Sequence, residues 1–362
     1  MRRYQNSMTK YKNIIGLAFS GGVDSSISAL LLHEAGYDVH ALYLDMWKWK
    51  NDNSHLAAVE TKATELTEKI PLQFSHLDAR EKMHQIVVQE ILEGLKKGRT
   101  PNPCVRCNPL VKFKLLQEFA DLHGIKEIAT GHYAQVIRQT DGTYSLFRAQ
   151  DGSKDQSYML CYLTQSILAR TKFPLGKLQK SDIKTMACEL GLSVAQQPES
   201  QDLCFMDGLS YQEFIEHFAQ DEFVPGEIVD CNGIIIGQHK GLAFYTIGQR
   251  KGIRIAAGQP YYVIEKDIKH NRMVVGFLST LGKRKIEVVQ VNWIRGNEPA
   301  QLDCDVKIRY RAKSIPAHIQ RMDEKDKYQV IFQDDVDGIT PGQYAVFYQK
   351  EEMLGGGMIN QQ

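Results

Sequence analysis

The apolar positions of this chain change period repeatedly, and the changes mark out its elements. Residues 13–19, NIIGLAF, are an aliphatic, β-branched run suited to a buried strand, and from about Ser25 to Gly36 the apolar positions fall at helical spacing. The exchange recurs: DVHALYLD (38–45) and PLQFSHLD (71–78) read as strands, and 56–70 and 81–96 as helices, the latter with Met83, Ile86, Val87, Ile91 and Leu95 on its apolar face. Such alternation predicts a parallel sheet covered on both faces, with a nucleotide beyond the carboxyl ends of the strands. VKFKLLQEFADLHG (111–124) is helical, KEIATGHYAQVIR (126–138) starts as a buried strand, TDGT turns a hairpin into YSLFRAQD, and 181–190 is a helix.

From about residue 208 the pattern becomes β-rich. Residues 224–255 place a glycine every few positions between short apolar runs, which suggests a small module, and 281–362 alternate apolar and polar residues through KIEVVQVNWI, CDVKIRYR, AHIQRM, YQVIFQ and YAVFYQK, as in a six-strand barrel or sandwich. The expected division is an α/β domain over 1–207, a central β-rich module over 208–280 and a C-terminal β-barrel over 281–362. A chain of 362 residues suits two or three domains.

Composition adds three constraints. There is no run of about eighteen apolar residues, and MRRYQNSMTKYKN lacks the apolar centre of a signal peptide, so the expected location is cytoplasmic with no membrane partner. Seven unevenly spaced cysteines argue for reduced, buried or reactive thiols rather than a disulfide framework. The net charge of +1 conceals two basic stretches: 94–114 holds six Lys or Arg and no acid, and 283–321 holds nine against four, either solvated faces or nucleic-acid surfaces.

Ser20-Gly21-Gly22-Val23-Asp24-Ser25 joins the first strand to its helix. Two glycines let backbone amides close on an anion, the helix start turns its amides and dipole to the same point, and Asp24 suits a magnesium ion bridging phosphate oxygens. The alternative is an ordinary strand-to-helix turn. No G-x-x-x-x-G-K-[ST] occurs in the chain. The six residues instead resemble the PP-loop of the N-type ATP pyrophosphatases, an adenine nucleotide α-hydrolase-like fold whose members cut ATP to AMP and pyrophosphate, and the resemblance implies adenylation. Leu44, near the end of the second strand, faces either the adenine ring or the core. Gly131 and His132 fall at a strand end where ligands are expected.

Cys104 and Cys107 stand at C-x-x-C spacing in GRTPNPCVRCNP (98–109), half a zinc site, a redox pair or part of a cluster ligand set. Pro101, Pro103 and Pro109 are expected to prevent a continuous helix there, which sets the pair apart from a thioredoxin motif. Cys204 lies in a polar loop beside Phe205. Cys161 and Cys188 read as small core residues on helical faces, and Cys231 and Cys304 as structural residues within strands.

Taken in order, SGGVDSS, GRTPNPCVRCN, ATGHYA, KDQSYML, SQDLCF, TIGQRKG, KIRYR and PGQ resemble the tRNA-specific 2-thiouridylase family over nearly the whole chain. The resemblance implies ATP-dependent sulfur transfer to C2 of an anticodon wobble uridine. By motif it places Cys204 as the persulfide-bearing cysteine, Cys107 as its partner, and Ala18, Phe19, Ser20, Gly21, Gly22, Val23, Asp24, Ser25, Leu44 and Gly131 at the ATP site. Asn102, Pro103, Cys104, His132, Lys154, Asp155, Gln156, Arg309, Tyr310 and Gln343 match tRNA-contacting positions. Partners implied are tRNA and a sulfur-donor protein, a persulfide relay or a cysteine desulfurase.

One departure stands out: where many members carry aspartate, this chain has Cys104. Cys104, Cys107 and Cys204 together would suit a [4Fe-4S] cluster that delivers sulfide, as an alternative to persulfide exchange. Two rival functions fit parts of the pattern, an amidating ligase with the same loop, which would not need Cys107 and Cys204, and a tRNA-binding or sulfur-carrying protein with a vestigial loop.

Overall fold

The computed structural model describes residues 13–47, 54–196, 210–219, 223–256 and 258–360. In the first 196 residues, the described strands are β1 (Asn13–Ala18), β2 (Tyr37–Asp45), β3 (Leu72–Asp78), β4 (Glu127–Thr130), a hairpin of β5 (Ala134–Arg138) and β6 (Tyr144–Arg148), and the short β7 (Thr171–Lys172). All but the hairpin form a parallel sheet in the order β3-β2-β1-β4-β7. The order reverses between β1 and β4, so the loops leaving these neighbours diverge and leave a crevice at their carboxyl ends.

Both faces of the sheet are covered, as the strand sequences require. Ile15, Leu17, Val39 and Ala41 share a core with α1 (Val23–Glu34), α2 (Ser54–Thr67) and α8 (Lys180–Glu189). On the other face Leu42, Leu44 and Ile128 pack with two long helical segments. The first runs as α3 (Arg80–Met83), a π turn over His84–Val88, and α4 (Gln89–Lys96).

The second corrects the expectation that prolines break the helix. α5 (Pro103–Cys107), a π turn over Asn108–Lys112 and α6 (Phe113–Leu122) run on without interruption. Pro103 sits in the first turn, where its missing N–H is not needed. Pro109 stands at the start of a widened turn, in which Phe113 N–H bonds Asn108 O, one residue beyond its α-helical partner Pro109 O. The C-x-x-C pair therefore does open a helix, but one that follows a loop rather than a strand. Smaller differences are that α1 begins at Val23, and that the 126–138 strand splits at Gly131 and His132. Cys188 is exposed, Cys161 is buried in a turn after the 3₁₀ helix Ser157–Leu160, and Cys231 is exposed on the turn after β8.

The central module is a four-stranded sheet, β8 (Gly226–Val229), β9 (Ile235–His239), β10 (Tyr262–Asp267) and β11 (Arg272–Gly276), in the order β10-β11-β8-β9. Before it, α9 (Tyr211–Ala219) packs Phe214 and Ile215 into the core of the first domain, so the residues just after 208 do not belong to the β pattern. The expected junction at 207/208 lies outside the described residues.

β12 (Lys283–Trp293), β13 (Gln301–Lys307), β14 (Ile315–Arg321), β15 (Tyr328–Val336), β16 (Tyr344–Gln349) and β17 (Glu352–Ile359) run β12-β15-β14-β13-β16-β17, and β12 also pairs β17, closing an antiparallel barrel. The barrel is not a detached unit. The β5–β6 hairpin joins it through β6 and β17, and α7 (Gln165–Leu168) contributes Gln165 Nε2, which donates to Ile294 O at 2.6 Å. Tyr158, Leu160, Tyr344, Val346 and Tyr348 share one core, with Tyr158 Oη donating to Tyr344 O at 2.9 Å.

The loop before Cys104 is where the parts meet. Thr100 N–H donates to Pro341 O at 2.8 Å, and Gln343 Nε2 donates back to Thr100 O at 2.8 Å. Between them Gly342 has φ +88, and a Cβ there would stand 2.8 Å from Arg99 Cβ and 3.1 Å from Thr100 N. Gly342→Ala is expected to lower stability by roughly 1–3 kcal/mol, because left-handed strain adds to the clash. A lower thermal unfolding midpoint checks this, and an unchanged midpoint would count against the interlock.

Candidate active site

β1 delivers the chain into the crevice. Ala18 is half-buried at its end, Phe19 N–H donates to Leu42 O at 2.9 Å, and the Phe19 ring meets Phe74 edge-on at 6.2 Å, which anchors the start of the loop. Gly21 has φ +71, and Gly22 caps α1 with extended backbone and no side-chain hydrogen bond. Ser20 N–H donates to Ser25 Oγ at 3.3 Å, and that hydroxyl donates to Gly22 O at 3.0 Å. The loop thus closes on itself. Among the described residues beyond its chain neighbours, a Cβ on Gly22 would have only Ser20 Oγ within 4 Å, at 3.5 Å, so these residues leave an open cradle in front of it, where the first helical amides including that of Val23 begin.

Gly131 reaches the same cradle from β4. Its missing Cβ would lie 3.3 Å from Asp24 C and Ser25 N, so the two loops touch backbone to backbone. The sequence expectation for Leu44 divides here: it lies inside β2, buried in the core with Leu42 and Met83, and packing is the role its side chain fills.

Asp24 ties the loop to two remote segments. Its Oδ1 accepts from Tyr133 Oη at 2.6 Å and from Lys180 Nζ at 2.6 Å. Tyr133 is held in turn by Gln156, whose Oε1 accepts from Tyr133 N–H at 2.9 Å and whose own N–H donates to Tyr133 O at 2.8 Å. Sequence reasoning missed Lys180 and Tyr133. Lys180 opens an unremarkable helix with no motif to signal it, and Tyr133 reads as a core aromatic.

His132, next to Gly131, faces the other way. Its ring stacks on Phe113 at 6.0 Å and 22°, with Nδ1 2.7 Å from Thr130 Oγ1. Phe113 belongs to the helix that carries the thiols, so one short segment touches both the phosphate cradle and that helix. Cys104 and Cys107 stand three residues apart and share a helix face. Cys107 is 3% exposed, with Sγ 3.8 Å from Met83 Sδ, whereas Cys104 is half-buried. Cys204 lies outside the described residues. Among those described, no three His, Cys, Asp or Glu side chains gather as metal ligands.

Residues 13–208 match the tRNA methyl transferase HUP domain family, 212–277 the tRNA methyl transferase PRC-barrel domain and 283–359 the aminomethyltransferase β-barrel domain. The chain is 38% identical to the tRNA-specific 2-thiouridylase MnmA of Carboxydothermus hydrogenoformans, over 95% of this chain and 96% of that protein. It is 40% identical to the protein of the same name from Nostoc punctiforme, over 97% and 99%. The chain belongs to the tRNA-specific 2-thiouridylase family. Among solved structures, a 4-thiouridine synthetase in complex with RNA and ATP covers 53% of this chain and 45% of its own at 14% identity and a TM-score of 0.34, too slight a likeness to bear on the site.

Of the positions expected to contact tRNA, several present their side chains to the protein's own interior. Asn102 caps α5 and Pro103 is buried in its first turn, both lining a cavity of about 90 Å³ with Arg99, Arg106 and Tyr344. Asp155 is 4% exposed, and its carboxylate accepts from Ala149 N–H, Ser157 N–H and Ser157 Oγ at 3.0–3.1 Å. It shapes the segment that holds Lys154, half-buried, and Gln156. Arg309 is likewise a clip, its Nη2 donating to Ile247 O at 2.9 Å and to Gly338 O and Thr340 Oγ1, which ties the central module to the barrel. Tyr310 packs at 6.2 Å from Tyr158 with Lys307 Nζ 5.7 Å from its ring, and Gln343 is committed to Thr100.

Burial first, and then the Lys112 ammonium, push the His132 imidazole down to about 3 from the usual 6.5. The unfolded chain therefore takes up the extra proton, and this contribution to stability, present above about pH 6.5, is lost as pH falls toward 3. His132→Gln is expected to show a smaller drop in thermal midpoint between pH 7 and pH 4.5 than the parent protein. Parallel profiles would exclude a neutral, enclosed imidazole.

Proposed function

We propose that this protein is a tRNA-specific 2-thiouridylase. The observation that carries the reading is the segment from Thr130 to Tyr133: Gly131 closes the phosphate cradle while His132 rests on the helix of Cys104 and Cys107. Activation and sulfur delivery are thereby held at one place. The wobble uridine must leave the anticodon stack to reach it, and the basic segment 94–114 beside the cavity at Asn102 suits the RNA backbone.

In this reading ATP lies with its phosphates on residues 20–25. The C2 oxygen of the uracil attacks the α-phosphorus, the bond to the bridging oxygen of the β-phosphate breaks, and pyrophosphate departs. Asp24 is the residue that would hold a magnesium ion, which supplies charge neutralisation across the phosphate oxygens. The terminal sulfur of a Cys204 persulfide then attacks C2, and the C2–O bond breaks to release AMP. Cys107 thiolate attacks the Cys204 sulfur, the S–S bond breaks onto the new thiocarbonyl, and a Cys107–Cys204 disulfide remains for an external dithiol to reduce. The persulfide itself comes from a donor protein, a relay or a cysteine desulfurase. Cytoplasmic location accords with these partners; among the described residues no helix is long and apolar enough to cross a membrane.

Burial of Cys107 against Met83 suits a resolving thiol that emerges once Cys204 is loaded. A [4Fe-4S] cluster remains the second reading because Cys104 shares the helix face with Cys107, but the described thiols supply only two of its three ligands. Anaerobic purification of wild type, Cys104→Asp, Cys107→Ser and Cys204→Ser, with iron analysis beside single-turnover thiolation, distinguishes them. Persulfide exchange predicts that Cys104→Asp keeps activity while the other two lose at least about a hundredfold, the range of a lost nucleophile. Iron lost together with activity in all three variants would establish the cluster instead.

The adenylation step has its own test. With ATP labelled at the α and γ positions, tRNA-dependent AMP and pyrophosphate are expected, and Gly22→Val, which fills the cradle, should abolish them. Release of ADP and orthophosphate would overturn the assignment.

A further inference from the structure

Lys180 is placed for a role that no motif announces. Its side chain is 9% exposed, its ammonium donates to Asp24 Oδ1 at 2.6 Å, and Nζ lies 5.6 Å from the centre of the Tyr133 ring. The root of the side chain is fixed as well, since Lys180 N–H donates to Asp151 Oδ2 at 3.0 Å. A cation is thus held at the edge of the phosphate cradle, on the carboxylate that the ATP reading assigns to a divalent ion.

Those two assignments compete. An ammonium and a divalent cation on one carboxylate repel each other at close range, and the Lys180 side chain, 9% exposed, leaves little water around the ammonium to screen that repulsion. The conflict disappears if the lysine has somewhere else to go. Phosphate oxygens, which carry several negative charges, offer that place, and the four-carbon stem of lysine lets the ammonium move while its backbone stays fixed. The chain has no P-loop lysine, and charge accumulates on departing pyrophosphate. Resting on Asp24 keeps the buried ammonium compensated while the cradle is empty.

We propose that the Lys180–Asp24 ion pair is the resting form of the site, and that Lys180 passes to a β- or γ-phosphate oxygen of ATP as Asp24 takes the metal. The proposal rests on the assignment of residues 20–25 to ATP. Lys180 is then a leaving-group contact, and its partner in the resting protein is a placeholder for phosphate.

Equilibrium binding of ATP, AMP and inorganic pyrophosphate, with magnesium and with chelator, tests it without relying on turnover. Lys180→Met should weaken ATP and pyrophosphate by about tenfold to a hundredfold, the value of a charge-assisted hydrogen bond, while AMP stays within about threefold. Lys180→Arg should recover part of the loss. Under chelator, Asp24→Asn frees the ammonium and should bind pyrophosphate about tenfold tighter than wild type, a gain lost in the Asp24→Asn, Lys180→Met double variant. Equal losses for AMP and ATP in Lys180→Met would show that Lys180 only supports the loop, and a tighter double variant would show that the gain is the removal of a negative charge. Either result overturns the exchange. Wild-type protein that binds no ATP would overturn the ATP assignment with it, whereas ATP binding indifferent to Lys180 would overturn the exchange alone.

Discussion

Gly131 rests against the backbone of Asp24 and Ser25 so closely that a methyl group would have 3.3 Å in which to fit. The sheet order makes this contact, since β1 and β4 are neighbours whose connections leave in opposite directions. It brings the anion cradle of one strand under the exit of the other, and the residues after Gly131 inherit their positions from it. His132 falls onto Phe113, and Tyr133 turns its hydroxyl to Asp24. Through Gln156 the same point is joined to the segment 154–156, so the loop of residues 20–25, the helix of Cys104 and Cys107 and the segment 154–156 are referred to one crossing of backbone.

The second constraint comes from outside the α/β domain. The loop that leads into Cys104 has no partner of its own in the parallel sheet, and its conformation is set by the barrel through Thr100, Pro341, Gly342 and Gln343. The central module presses on the same loop: a Cβ on Gly98 would lie 2.9 Å from Ile268. Together with the shared core around Tyr158 and Tyr344, these contacts make the C-terminal β structure part of the architecture of the thiol site, and not merely a surface added to it.

Arg309 demonstrates that a basic residue in a basic stretch need not face a ligand. One nitrogen of its guanidinium, Nη2, donates to carbonyls of two modules. Asp155 is its acidic counterpart, with a carboxylate spent on three donors of its own turn. Each holds the backbone of its own neighbourhood in place.

By itself the sequence determined what depends on local periodicity and on residue types that few conformations accept. The period changes at 19–25 and 78–81 gave alternating strands and helices, Gly21 and Gly22 marked a tight strand-to-helix loop, and the alternation after residue 281 narrowed the C-terminal part to a barrel or sandwich, which the pairing of β12 with β17 decides for the barrel. The family motifs singled out Cys107 and Cys204 as the thiols to test. The tertiary structure decided what depends on distance between segments remote in sequence. It placed Lys180, 156 residues away, on Asp24. It passed the helix through Pro109 by a π turn, because the packing of Val105, Val111 and Leu116 on one core outweighs a single lost hydrogen bond. It turned Arg309 and Asp155 inward and Leu44 into the core, because which face of a strand or turn is buried is settled by what packs against it, and a single chain read in order carries no record of that partner.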